Sequence, residues 1–170
     1  DAAWPGRRPS LRGDQLMRAL LLLLLLIAAG GLSARAQSCT VSATTMSFPA
    51  YNAFSGIVSD ASSVVTTTCT GLLFVGVSYE VRLDGGQSGN ILGRKMRKGA
   101  TSDELGYQIY LNAGRTTIWG NGVQGSSFTG SMLLGLFSRT STRTVYGRIP
   151  AGQQVNSGDY ADAPVMTIIY

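Results

Sequence analysis

From residue 39 onward the apolar and polar positions alternate, and that rhythm predicts strands. Phe74-Val75-Gly76-Val77-Ser78-Tyr79-Glu80-Val81-Arg82-Leu83 shows it best. Val75, Val77, Tyr79, Val81 and Leu83 share one face, because successive side chains of a strand point to opposite sides. Asp84-Gly85-Gly86 then predicts a turn. Ser63 to Cys69 is a β-branched run, and Leu105–Leu111, Thr116–Trp119, Met132–Phe137 and Thr142–Ile149 predict further short strands. The Gly-rich stretches 84–93 and 120–130 read as ordinary turns between them. No stretch after residue 36 keeps a 3.6-residue repeat. Many short strands, with turns roughly every 8–12 residues, predict an all-β sandwich or barrel.

The pattern changes at the end of the sequence. In Val165-Met166-Thr167-Ile168-Ile169-Tyr170 one face carries Val165, Thr167 and Ile169, the other Met166, Ile168 and Tyr170. Both are largely apolar, whereas a strand that finishes an exposed sheet alternates apolar with polar. An apolar edge strand is also a pairing hazard. The expectation is a strand that needs cover on both sides, which no later residue of the sequence supplies.

The other departure from alternation is at the start. Met17-Arg18, the apolar run Ala19 to Ala29 and Ala34-Arg35-Ala36 have the order of a secretion signal: positive n-region, h-region and A-x-A site. Cleavage is expected between Ala36 and Gln37. A spanning helix needs about 20 apolar residues, more than this run offers, so no membrane anchor is expected after cleavage. Residues 1–16 read as an upstream or non-native segment. Arg7-Arg8 permits a twin-arginine export signal, but Pro9-Ser10 fit it poorly.

The leader changes the meaning of the charge. The sequence has 14 lysines and arginines and 9 aspartates and glutamates. Arg7, Arg8, Arg12, Arg18, Arg35, Asp1 and Asp14 precede Gln37, which leaves the mature chain at about +2. The basic balance is therefore no sign of nucleic-acid binding. Both cysteines, Cys39 and Cys69, are in the mature part. An exported chain meets an oxidising compartment, so a Cys39–Cys69 disulfide is expected, the alternative being two buried thiols. In the chain-entropy account its loop stabilises the fold by roughly 3–4 kcal/mol.

The chain has no histidine, which removes Ser-His-Asp and Cys-His catalysis and histidine metal sites. The mature carboxylates Asp60, Glu80, Asp84, Asp103, Glu104, Asp159 and Asp162 mostly sit at turns, where Asp binds local backbone. No catalytic pair, metal or cofactor is expected, and the chain is not expected to be an enzyme. Gly120-x-Gly122-x-x-Gly125 lacks the helix and distant acid that a dinucleotide loop requires. Arg94-Lys95-Met96-Arg97-Lys98 reads as a solvated turn or an edge strand protected by its charge. Gly158–Asp162 holds too few carboxylates for calcium, and Asp159 and Asp162 are expected to bind backbone N–H groups. Tyr79, Tyr107, Tyr110, Tyr146 and Trp119 lie on expected strands and are read as core; a sugar-stacking platform would need several of them exposed on one surface.

Several blocks, in order, resemble the spore coat protein U domain, a family that includes the pilins of archaic (Csu-type) chaperone–usher fimbriae. They are Cys39-Thr40-Val41-Ser42-Ala43 with Phe48 and Tyr51, Thr67-Thr68-Cys69-Thr70, Tyr107-Gln108-Ile109-Tyr110, Arg115-Thr116-Thr117, Trp119-Gly120-Asn121-Gly122, Tyr146 to Gln153, and Gly158 to Asp162 followed by the terminal strand. The resemblance implies an immunoglobulin-like β-sandwich over 37–170 that lacks its final strand and is completed by a donated one. The implied partners are a periplasmic chaperone, an outer-membrane usher and other pilin subunits. The implied function is a structural or adhesive pilus subunit in attachment and biofilm formation, periplasmic in transit and then at the cell surface. Val165, Thr167, Ile169 and Tyr170 are the expected contacts for the donated strand. A polymerising pilin carries its own donor segment ahead of the first cysteine. Cleavage after Ala36 leaves only Gln37 and Ser38 there, so a terminal position in the fibre is expected. The alternative is a free-standing spore or cell-surface coat protein, or a carbohydrate-binding module that uses no chaperone.

Overall fold

Alternation resolves into nine strands among the described residues of a computed structural model: β1 Ser38–Ala43, β2 Ser59–Thr70, β3 Gly76–Leu83, β4 Lys95–Arg97, β5 Glu104–Gly106, β6 Gln108–Tyr110, β7 Phe128–Leu133, β8 Arg139–Ile149 and β9 Met166–Ile169. The structure describes Met17 and residues 37–71, 76–134 and 138–170. All of these except Met17 belong to the second of two units of the chain, Ala36–Tyr170. The expected leader 17–36 (Met17 apart), its cleavage position at Ala36 and the stretch 1–16 with Arg7-Arg8 lie outside the described residues. Gln37 is described and half-buried ahead of β1.

The strands form one four-stranded sheet, ordered β1-β2-β8-β6, and one three-stranded sheet, ordered β7-β3-β9. β4 and β5 make a separate short ribbon. Every ladder is antiparallel. β2 and β8 pair over eleven positions, from Ser59↔Ile149 to Cys69↔Arg139, and form the longest ladder. The β-branched residues of β2 suit this pleated, half-buried surface.

The two sheets enclose the core with the faces that alternation assigned. Val77, Tyr79, Val81 and Leu83 of β3 are buried, as are Val65, Thr67 and Cys69 of β2 and Val145 and Ile149 of β8. Full burial of side chains such as Val65, Val81 and Val145 contributes about 1.5–3 kcal/mol each. Cys39 and Cys69 face each other in register and are joined by the disulfide, which fastens β1 to β2. Two close approaches require glycine. The Tyr79 ring occupies the space a Cβ on Gly130 would take, and Met46 and Phe48 do the same at Gly147.

Three expectations change in detail. Leu105–Leu111 is two strands, broken at Tyr107, whose N–H donates to Arg94 O at 3.0 Å. β5 pairs with β4 and β6 with β8, so the two halves serve different sheets. Thr116–Trp119 makes only isolated bridges, Tyr110↔Ile118 and Trp119↔Ser126. β7 begins at Phe128, inside the stretch read as a turn, because Gly130 is a seat for Tyr79 and not a turn residue.

The basic cluster needs a larger correction. Lys95–Arg97 is a short strand, and Lys95 and Arg97 pair with Glu104 at 2.6 and 3.5 Å. Arg94 is not solvated: it is 1% exposed. Its guanidinium is retained in the interior because backbone carbonyls and an amide meet its fork of donors.

Candidate functional site: the open edge of the sandwich

β9 has one ladder partner. Glu80↔Ile169, Val81↔Ile168, Arg82↔Thr167 and Leu83↔Met166 pair it with β3, and it is the outer strand of its sheet. Among the described residues nothing pairs with its other side, so a row of backbone donors and acceptors stays available. β1 is likewise the outer strand of the other sheet. The two strands approach within 8 Å between Cα atoms without pairing. The interior is thus bounded on this flank by two unpaired edges.

The flank opens beyond Ala43 of β1 and ahead of Met166 of β9. A cavity of about 1070 Å³ lies there, roofed by residues 43–54 and 155–164. Its floor is the core itself, including Val65, Leu83, Ile109, Trp119 and Ile149. Met46, Phe48, Tyr51, Val155 and Tyr160 pack partly buried against that core. Apolar surface of this kind is costly to leave in water.

The four residues expected to meet a donated strand are brought together on β9 and directly beside its two ends, and all four are exposed. Val165 is 60% exposed, Ile169 44% and Tyr170 55%, and Thr167 is exposed with them. The inward pair is Met166 and Ile168, both packed against the core. The sequence reading missed these two as site residues, although the same alternation contains them. What it lacked was the sign: a period of two says which residues share a face, not which face is inside.

Two carboxylates fix the approach to β9. Asp84 Oδ1 accepts the N–H of Val165 at 2.8 Å and that of Gly86 at 2.9 Å. Asp162 Oδ1 accepts the N–H groups of Gln87 and Ala163, each at 2.8 Å, and its Oδ2 accepts the Tyr107 hydroxyl at 2.7 Å. Burial, then this bond to Asp162, pushes the Tyr107 phenol well above its ordinary range. Below them Arg94 donates to Asp84 O from Nε at 2.9 Å and Nη2 at 2.7 Å, to Trp119 O at 2.8 Å and to Gln108 Oε1 at 2.5 Å. Burial lowers its pKa, and Tyr107, Asp84 and Asp162 oppose that change.

Among the described residues no three His, Cys, Asp or Glu side chains are grouped to hold a metal ion. No described helix is long and apolar enough to cross a membrane. Of the aromatic residues weighed as a platform, Tyr79, Tyr107 and Trp119 are buried. Tyr110 and Tyr146 are half-buried and paired across β6 and β8, with the Arg115 guanidinium 5.7 Å over the Tyr146 ring.

The profile of the Spore Coat Protein U domain family matches residues 26–167, and the chain belongs to that family. It is 42% identical over 77 residues to Protein U of Myxococcus xanthus, a match that takes in 45% of this chain and 40% of Protein U. In three dimensions it is similar to a chain of the CsuC–CsuE chaperone–tip adhesion subunit pre-assembly complex, from the archaic chaperone-usher Csu pili of Acinetobacter baumannii. The TM-score is 0.54 at 18% identity, over 79% of this chain and 40% of that one. At that identity the likeness concerns the fold, an all-β immunoglobulin-like sandwich. The chain spans well under two thirds of the length of both relatives.

Proposed function

We propose that this protein is an exported structural or adhesive subunit of a chaperone–usher pilus, and that it accepts a donated strand along β9. The observation that carries the proposal is the unpaired β9 edge beside a large cavity floored by core side chains. A strand added there would gain backbone hydrogen bonds along β9, and its alternate side chains would enter the apolar interior. This is β-augmentation, in which the ladder gives affinity and the pockets give register. Val165, Thr167, Ile169 and Tyr170 would meet the incoming chain through backbone and rim, while Met166 and Ile168 would flank its inward side chains. Family membership and the fold shared with a chaperone-bound tip adhesion subunit support the same reading.

The partners on this reading are a periplasmic chaperone, the outer-membrane usher and other subunits. The route is periplasm first and cell surface afterwards, with attachment and biofilm formation as the outcome. Cleavage after Ala36 would leave Gln37 and Ser38 ahead of Cys39, fewer than the roughly five residues of a useful strand. The subunit would then receive a strand without offering one, which suits the end of a fibre.

One observation favours a second reading. The family whose profile covers most of the chain is described as a spore coat family, so a free-standing coat protein is the alternative. Thermal unfolding of the exported chain, with and without a covalently appended donor strand, separates the two. A large rise in midpoint is expected. A bare chain that is already soluble and cooperative, and that no added strand changes, would leave the coat reading standing.

A further inference from the structure

We propose that Asp84, held in place by buried Arg94, is the positioning residue that orders the approach to β9 and so presets the edge on which a strand docks. This rests on the donor-strand reading above. The Asp84 backbone carbonyl takes two of the Arg94 donors, at 2.9 and 2.7 Å. The same guanidinium reaches Trp119 O and Gln108 Oε1, so three parts of the chain converge on one buried cation. Asp84 is thereby fixed at the end of β3, where regular pairing with β9 stops at Leu83↔Met166.

Asp84 then adds one more rung in a different way. Its N–H donates to Val165 O at 3.1 Å, and its carboxylate, in place of its carbonyl, accepts the Val165 N–H at 2.8 Å. The carbonyl is free to serve Arg94 because the side chain has taken over its ladder role. The residue before Val165, Pro164, has no N–H to give, so after Ala163, whose N–H Asp162 holds, Val165 is the next residue of the approach that can be held this way. Asp162, Pro164 and Met166 line the cavity, so order at Val165 fixes where the open edge begins. Asp84 itself is exposed, and its side chain adds nothing to core packing. Its carboxylate acts on the path of the strand.

The test uses the chain expressed in full and recovered from the periplasm, as wild type, Asp84→Ala and Asp84→Asn. Hydrogen exchange reads the amides from Val165 to Ile168. Stopped-flow fluorescence of Trp119, which lines the cavity, reads uptake of a synthetic peptide of alternating valine and threonine. Asp84→Ala is expected to lose protection at Val165 and to take up peptide at least threefold more slowly. Asp84→Asn keeps the Oδ1 acceptor and is expected to restore both. Equal protection and equal uptake rates in wild type and Asp84→Ala overturn the proposal. If the wild type takes up no peptide while Asp84→Ala still loses protection at Val165, the ordering role stands, and the donor-strand reading falls together with the docking role.

Discussion

Replacing Arg94 by methionine tests whether a buried cation without a directly bonded carboxylate holds this end of the sandwich. Methionine is apolar and flexible enough to occupy much of the vacated space, so the cavity contribution should be small. The hydrogen bonds decide the outcome. Leu83 O lies at 3.4 Å from the guanidinium and loses little, and Gln108 Oε1 keeps the Ile109 N–H at 2.9 Å. The loss falls on Asp84 O and Trp119 O, which are left without these donors, at about 1–3 kcal/mol each. Relief from desolvating the guanidinium returns part of this. The expected net loss is about 2 kcal/mol, a fall in midpoint of roughly 6–10 °C for a domain of this size. Thermal unfolding of the exported chain, followed by circular dichroism, measures it. Arg94→Lys restores a charge but not the fork, and should fare little better than methionine. A methionine variant within about 0.5 kcal/mol of wild type would refute the reasoning, and a lysine variant equal to wild type would show that charge matters and geometry does not.

Three further outcomes are expected. Replacing both Cys39 and Cys69 by serine should destabilise the fold by roughly 3 kcal/mol, read as a lower urea midpoint; an unchanged midpoint would count against the cross-link. Ile168→Asp, on the inner face of β9, should abolish uptake of an appended or added strand, while Thr167→Asp on the outer face should permit it; binding by both variants would remove β9 as the acceptor. Asp60 receives two hydrogen bonds from Arg148, at 2.7 and 2.8 Å, and this first, with Arg115 and against the opposing effect of burial, holds its pKa below the ordinary 3.8. A depressed carboxylate contributes stability above its unfolded pKa and loses it as pH falls through the folded one. Urea midpoints should therefore drop below about pH 4 less steeply in Asp60→Asn than in wild type, and parallel acid limbs would contradict this.

The strands were legible where packing follows alternation. In β3 every second residue from Val77 to Leu83 is buried, because one face meets the core and the other meets water. The disulfide was legible through compartment chemistry, and the two cysteines do stand opposite each other. Legibility failed where one residue serves two elements at once. Gly130 reads as a breaker until the Tyr79 ring is seen in its place. Leu105–Leu111 reads as one strand until its halves pair with β4 and β8. Arg94 sits in a run of charge that predicts solvent, and acceptors outside that run, the carbonyls of Leu83, Asp84 and Trp119 and the amide oxygen of Gln108, make its burial tolerable.

The candidate site was legible in a narrower sense, and the limit is physical. An apolar run with no polar face says that a strand expects company on both sides. The structure divides that demand unequally. Met166 and Ile168 are satisfied by the core, while Val165 and Ile169 stay exposed on the outer face and Tyr170 is exposed beyond the end of the strand. On the proposed reading a donated strand would lie beside β9, in the plane of its own sheet, where among the described residues backbone groups lack partners and the cavity leaves room for inward side chains. The cavity roof, 43–54 and 155–164, has no periodicity that could have announced it. What fixes the place is the pair of carboxylates, Asp84 and Asp162, that bind the chain just ahead of β9. In the sequence Asp84 looked like one more turn aspartate, whereas Asp162 was expected to bind backbone N–H groups and does so, at Gln87 and Ala163. Their positions 78 residues apart become one device only because β9 returns to lie along β3.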